Sequence, residues 1–268
     1  MTIEERLDQL EQDYNARIAK LELELAKEKA VTQIQNCMGR YAYMHTAGMH
    51  TRCLDCFANG DPELSIEIGP SGIYRGPDAA QRIYDKGHNQ YENARIGFMA
   101  EHTLTTPVIE VADDLQTAKA LWISPGHETD LDPETGKYEG DWMWGRYAMD
   151  FKCIDGQWKI WHFQMFPTFR CDYYHCWTDT EANDRVMARE RDRLGLPFYP
   201  PMFPAAGDPD EPTSFFEEYA RDRIMKFWPQ PPEAYETFEG TQSMVGAIPE
   251  GAPIYSQYGH VHYYQKGE

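Results

Sequence analysis

The sequence predicts an α+β fold, and three observations predict it. Residues from Thr2 to about Met44 contain Gly39 as their one glycine and no proline, which leaves nothing to interrupt a long helix. Four stretches of alternating strand character come later, at roughly His102 to Val111, Thr117 to Ser124, Trp142 to Lys152 and Gln157 to Phe166. The polar turn Asp155-Gly156 joins the last two as neighbours in an antiparallel run. Helices first and antiparallel strands afterwards is the α+β order.

The elements follow in turn. In the first helix, apolar residues recur at Ile3, Leu7, Leu10, Tyr14, Ile18, Leu21 and Leu25 in three- and four-residue steps. Two consecutive four-residue steps from Leu10 to Ile18 break a strict heptad, so the helix predicts a short, imperfect coiled coil or packing on a neighbouring subunit. The expected state is a homodimer or a larger homo-oligomer. A second helix is predicted from about His50 to Phe57, a strand at Leu64 to Ile68, and a short strand at Ile73 to Arg75. Gly76-Pro77-Asp78 then opens a helix to about Lys86, with proline near its first turn. Beyond Trp177, residues 182 to 193 and 213 to 227 read as helical within a stretch rich in proline and aromatics. Disordered tails are poor in aromatics, so this stretch is expected to be an ordered arm that closes part of the core domain or touches a second subunit. The domain division is residues 1–35 as an oligomerisation helix, 36–180 as the core domain and 181–268 as the arm.

Composition narrows the function classes. A chain of 268 residues with 41% hydrophobic content has enough apolar material for a sizeable core. Its formal charge of −19 argues against nucleic acid as a partner, because phosphate neutralisation needs clustered Lys and Arg. Neither a long apolar span nor a basic-then-apolar leader is evident, so no membrane association and a cytoplasmic location are expected. The six cysteines are then expected as reduced thiols. Cys53-Leu54-Asp55-Cys56, with His45 and His50 upstream, invites a zinc reading, but a structural site needs a second ligand pair at a set distance. The group reads as the buried side of a helix, and no metal is expected. No phosphate-cradling glycine loop, dinucleotide fingerprint or serine elbow is present, which points to chemistry without a cofactor.

Four pieces, in order, carry a family resemblance: Gly39-Arg40-Tyr41-Ala42-Tyr43, Gly76-Pro77, His102-Thr103-Leu104-Thr105-Thr106-Pro107, and Asp155-Gly156-Gln157-Trp158-Lys159-Ile160-Trp161-His162-Phe163. Together they resemble the nuclear transport factor 2-like superfamily and, within it, the SnoaL-like enzymes, over roughly residues 30 to 178. The resemblance implies a cone: a strongly curved, mainly antiparallel sheet wrapped around helices, with a pocket at the open end. Within that family the pieces are similar to those of bile acid 7α-dehydratases. Tyr41 falls on their catalytic tyrosine and His102 on their catalytic histidine.

Such roles fit elementary chemistry. Removing a proton beside an enone or phenol needs a base poised near neutral pH, and imidazole has that property. A tyrosine hydroxyl can donate to the developing enolate. The sequence departs from the pattern where acidic partners of the histidine are expected, at Thr46 and Gly126, and His45 and His127 stand beside those positions. Imidazoles in place of carboxylates would allow a different reaction. Arg146 and Asp150 share a strand face with Trp144 and Ala148; they either line the cone, where Arg146 would clamp an anion, or form an exposed pair outside. His162 shares its face with Trp158, Ile160 and Gln164, and reads equally as a pocket group or a core histidine. The catalytic candidates are thus His102, Tyr41, His45, His127 and Arg146. Tyr43, Trp122, Trp144, His162 and Gln164 are the candidate substrate contacts.

The resemblance implies a cofactor-independent lyase that eliminates water from a hydroxylated aromatic or polycyclic small molecule. Three alternatives stay open. One is a carbon–carbon lyase that releases formaldehyde from a lignin-derived diarylpropane diol, as some SnoaL-like relatives do. The others are an isomerase or cyclase, and a non-catalytic binding or assembly module.

Overall fold

Thr2 starts helix α1 (Ile3–Thr46) with a capping box: its hydroxyl accepts from the Glu5 backbone N–H at 3.1 Å, and the Glu5 carboxylate accepts from the Thr2 N–H at 2.7 Å. The computed structural model describes residues 2–69, 72–89, 96–131, 135–179, 204–211, 213, 219, 221, 229–239, 241–245, 253–255 and 261–263. Within it α1 is one unbroken helix of 44 residues. It runs through position 35, and its first core contact comes at Ala30, followed by Ile34, Met38, Tyr41 and His45. A short helix α2 (His50–Cys53) and a 3-10 turn (Leu54–Cys56) follow, burying Cys53 and Cys56 against the core.

Strands β1 (Ser65–Ile68) and β2 (Ile73–Arg75) form an antiparallel pair, and Gln81–His88 winds as a π-helix. Wider turns of this kind are common at functional sites. Then come β3 (Met99–His102), β4 (Thr105–Val111), β5 (Thr117–Leu131), β6 (Tyr138–Ile154) and β7 (Gln157–Asp172). The sheet order is β2-β1-β7-β6-β5-β3, with β4 also paired to β5. All pairs are antiparallel except β1 with β7. The sheet curls strongly into a half-barrel around α1, giving a cone-shaped α+β fold. Asp155 and Gly156 take φ of 50° and 76°, as a two-residue hairpin turn with right-handed strand twist requires.

The structure refines the strand expectations. The stretch from His102 to Val111 is two strands that part at Thr103-Leu104, and within the second Thr106 takes a positive φ of 48° and the pairing with β5 shifts between Thr105 and Val108. Strands β5 to β7 extend well past the ends expected, to 15, 17 and 16 residues, since the β5–β6 and β6–β7 ladders run on through those ends. The helix expected at 182 to 193 lies outside the described residues, and of 213 to 227 only residues 213, 219 and 221 are described, none of them helical.

Described parts of the arm bind the outside of the cone. Glu211 holds Arg75 in a two-point ion pair at 2.5 and 3.0 Å, and Asp210 holds Arg82 at 2.7 Å. Two short strands, β8 (Pro253–Tyr255) and β9 (Val261–Tyr263), pair with each other. Among the described residues no helix is long and apolar enough to cross a membrane.

Candidate active site

The inner face of the cone gathers four buried histidines from four elements. His45 comes from the last turn of α1, His50 from the start of α2, His88 from the end of the π-helix and His102 from the end of β3. The His45 ring lies at the centre. Its centroid is 5.0 Å from His88, 5.2 Å from His50 and 5.7 Å from His102. His45 and His50 meet through their Nδ1 atoms at 3.4 Å, a contact that needs one ring to donate and the other to accept. Burial, reinforced by the neighbouring imidazoles of His88, His102 and His50, pushes the His45 pKa well below its ordinary value. His45 is therefore a neutral ring at neutral pH.

Tyr41, His45 and His102 form a three-ring stack. The Tyr41 and His45 planes are 11° apart, those of His45 and His102 14° apart, each with 5.7 Å between centroids. The spacing of Tyr41 and His45, one helical turn, sets the first contact. His45 thus stands between the two residues expected to act together. The Tyr41 hydroxyl is bonded instead to that of Tyr84 at 2.8 Å, and Tyr147 also bonds to it. Burial and the phenols of Tyr84 and Tyr147 raise the Tyr41 pKa well above the usual range, so the group stays a neutral phenol.

His102 has a carboxylate after all. Its Nε2 lies 3.3 Å from Glu128 Oε1, and Glu128 Oε2 is bound by Arg170 Nη2 at 2.7 Å. Arg170 also reaches Asp141 at 3.3 Å. Burial by itself would raise the Glu128 pKa, but the Arg170 charge and the His102 hydrogen bond outweigh it and hold the carboxyl at about 2. Glu128 is thus ionised throughout the working range. An ionised carboxylate on Nε2 fixes that nitrogen as the protonated one and leaves Nδ1 as the basic atom.

Gly126 explains itself in the same geometry. It pairs with His102 across the β3–β5 ladder, and the imidazole lies over it. A Cβ at Gly126 would come within 2.7 Å of His102 Nδ1, 2.9 Å of the Glu101 carbonyl and 2.9 Å of the Met143 carbonyl. Two of those neighbours are backbone and cannot step aside. Gly126→Ala is therefore expected to displace the His102 ring and cost roughly 1–3 kcal/mol by overpacking. A melting curve together with the NMR resonances of the His102 ring checks this, and an unchanged ring spectrum would contradict it.

The remaining candidates lie elsewhere. His127, the neighbour of Gly126, points to the opposite side of β5; it is 47% exposed and sits 3.8 Å from Glu101. Tyr43 is 82% exposed on the outer side of α1. Trp122 is buried in the core against Phe151, while Trp144 is 41% exposed and stacks on Phe169. Arg146 alternates with Tyr147, whose ring touches Tyr41, so it belongs to the outer face, buried there. Of the two placements expected for Arg146 and Asp150, the structure takes the outer one, with both residues buried rather than exposed, which corrects the choice of Arg146 as a catalytic candidate inside the cone.

A bulge moves His162. The β6–β7 register shifts between Asp150 and Phe151, so Ile160 keeps the inner face while Trp161 becomes the extra residue and His162 turns outward. There His162 Nδ1 binds Asp150 at 2.8 Å, and Ser243 of the arm donates to the same Asp150 oxygen. Gln164, two residues on, donates to Glu67 at 3.0 Å on that side. Neither His162 nor Gln164 therefore joins the histidine cluster, because the two-residue count from Trp158 fails at the bulge.

Reading by resemblance missed Glu128, Arg170, His50, His88 and Tyr84. Glu128 had a signal: two residues beyond Gly126 on a strand, it shares the face that meets His102. The other four come from elements far apart in sequence and show no local pattern. Among the described residues no group of three or more His, Cys, Asp or Glu is arranged to hold a metal ion.

Several solved structures are similar in fold. A candidate scytalone dehydratase from Novosphingobium aromaticivorans DSM 12444 is 18% identical with a TM-score of 0.44, covering 58% of this chain and 93% of its own. Hexachlorocyclohexane dehydrochlorinase LinA-type3 from Novosphingobium barchaimii LL02 is 13% identical with a TM-score of 0.44, covering 57% and 96%. A nuclear transport factor 2-like protein from Salmonella enterica serovar Typhimurium LT2 is 20% identical with a TM-score of 0.39, covering 51% and 91%. No functionally curated protein matches the sequence. The SnoaL-like domain model matches residues 27–164, just over half of the chain, from the turn of α1 before its first core contact to the Gln164 position of β7. With its cone and the histidine cluster inside that span, the chain belongs to the SnoaL-like domain family.

Proposed function

We propose that this protein is a cofactor-independent lyase that eliminates water from a hydroxylated aromatic or polycyclic small molecule, with His102 as its base. The observation that supports this reading best is the His102–Glu128 pair at 3.3 Å, anchored by Arg170. In the proposed reaction the neutral His102 imidazole takes a proton from the carbon beside a carbonyl or phenol-derived ring. The carbon–carbon double bond forms as the carbon–oxygen bond of the leaving hydroxyl breaks. The imidazolium then returns its proton to that hydroxyl, which leaves as water, and the base is restored. Glu128 stabilises the transient imidazolium by charge and keeps the ring in one tautomer.

In this reading His45, held neutral and stacked on His102, is the positioning group, and Tyr41 supports the stack from the far side. The surrounding rings of Tyr84 and His88 favour a flat, apolar substrate. The main reason for expecting another bond to break, with release of formaldehyde, was the absence of a carboxylate partner for His102. Glu128 supplies one, so elimination of water is the preferred chemistry.

Incubation with panels of hydroxysteroids and lignin-type diols, followed by mass spectrometry, tests the reading. Loss of water from a panel member is the expected result. Loss of formaldehyde would replace the proposal with carbon–carbon cleavage, and no turnover across both panels would favour the binding module.

A further inference from the structure

We propose that two copies of this chain pair side by side, in parallel, through the first half of α1. The inference is independent of the lyase reading and rests on a face of α1 that its own domain leaves open. Ile3, Leu7, Leu10, Tyr14, Ile18, Leu21 and Leu25 are all at least 37% exposed, with Ile3 at 82%. They form a stripe about 33 Å long at about 1.5 Å per residue. Tyr41, which docks α1 on the cone, lies 27 residues after Tyr14, about seven and a half turns at about 3.6 residues per turn. The stripe therefore faces away from the domain, and a partner can approach it without meeting the cone.

The order of the stripe suits a long helical partner. Ile3, Tyr14 and Leu25 are eleven residues apart, as are Leu7 and Ile18, and Leu10 and Leu21. An eleven-residue repeat, about 3.67 residues per turn, nearly matches the α-helix itself, so the stripe runs straight with only a slight right-handed drift. The pair of four-residue steps that breaks the heptad is what completes this repeat. A second copy offers an identical straight stripe.

Charge selects both the partner and its direction. In a parallel pair, a residue on one flank of the stripe faces the residue five positions later on the partner's other flank. Along this helix those pairs are Arg6 with Glu11, Arg17 with Glu22, and Glu24 with Lys29, all of opposite sign. Twofold symmetry doubles each one. An antiparallel pair would set Arg6 against Glu24 and Asp13 against Arg17 on one flank but Glu4 against Glu22 on the other, where like charges repel, whereas the three pairs of the parallel arrangement all attract.

Sedimentation of the full chain at micromolar concentration is expected to show a dimer, and the Leu10→Lys/Leu21→Lys double variant a monomer with unchanged helical circular dichroism. Direction is read by cross-linking. Leu7→Cys alone should form a disulfide-linked dimer under mild oxidation, because position 7 meets itself only in the parallel pair. A monomeric wild type, or a dimer that survives the double variant, would overturn the proposal. So would cross-linking of Leu7→Cys only when mixed with Leu21→Cys, since that marks the antiparallel arrangement.

Discussion

His102→Ala is expected to lower turnover by about a hundredfold or more on any substrate the panels identify, as removal of a general base commonly does. The ring carries the only basic nitrogen that the Glu128–Arg170 chain orients among the described residues, so nothing adjacent replaces it in place. Glu128→Gln should act in the same direction but less severely, because it removes the orienting charge and keeps the base. Both variants should show their loss in kcat more than in KM, since the charge on His102 develops on the way to the transition state. Single-turnover kinetics on folded protein, verified by circular dichroism, measures this. Near-normal turnover in His102→Ala would remove the histidine mechanism and most of the case for a lyase.

The second large effect concerns stability. Arg170 is buried and bridges Glu128 at 2.7 Å and Asp141 at 3.3 Å, tying the ends of β5, β6 and β7 together at the level of the site. Arg170→Ala would leave two partly buried carboxylates facing each other across the β5–β6 ladder, where Glu128 and Asp141 are direct cross-strand partners. Removing one member of a buried charge pair costs roughly 3–5 kcal/mol. For a protein of this size that is a drop in Tm of about 10 °C. Thermal unfolding followed by calorimetry reads it, and a Tm within a degree of wild type would show that the carboxylates find other partners. The Glu128 carboxyl should also lose its depressed pKa, because the Arg170 charge is the main force lowering it.

Sequence patterns revealed the fold to the extent that it is written in local periods. Helix α1 is legible because nothing but Gly39 interrupts its opening, and β6 and β7 because Asp155-Gly156 can turn tightly between them. Their true lengths were not legible, since the long ladder between the two stabilises strand ends that carry no strong alternation of their own. The bulge within β4 goes with a positive φ at Thr106, a residue type that gives no warning of it.

The site was legible one residue at a time and not as a set. His102 and His45 could be marked by resemblance and neighbourhood, and both join the cluster. Glu128 was passed over because counting stopped at Gly126, whose real part is to make room for an imidazole. His50 and His88 reach the cluster through the short helices, whose placement is a tertiary result. His162 shows the opposite failure: a period of two is reliable until a bulge, and one extra residue at Trp161 sent it to the other face.

That outward turn has a consequence for descent. Asp150 has no solvent exposure, and its carboxylate is satisfied by His162 from β7, by the Ser243 hydroxyl and by the Met244 N–H at 3.1 Å. Two of those three partners belong to the arm, outside the span of the SnoaL-like domain. A cone that lost its arm would leave Asp150 with His162 alone of these three partners, on a wall built to be roofed over, together with Lys119, whose ammonium now rests on the Gln242 carbonyl at 2.6 Å. Asp150, Lys119 and Ser243 should therefore be inherited as a unit with the arm, and relatives made of the cone alone should carry different residues at the first two positions.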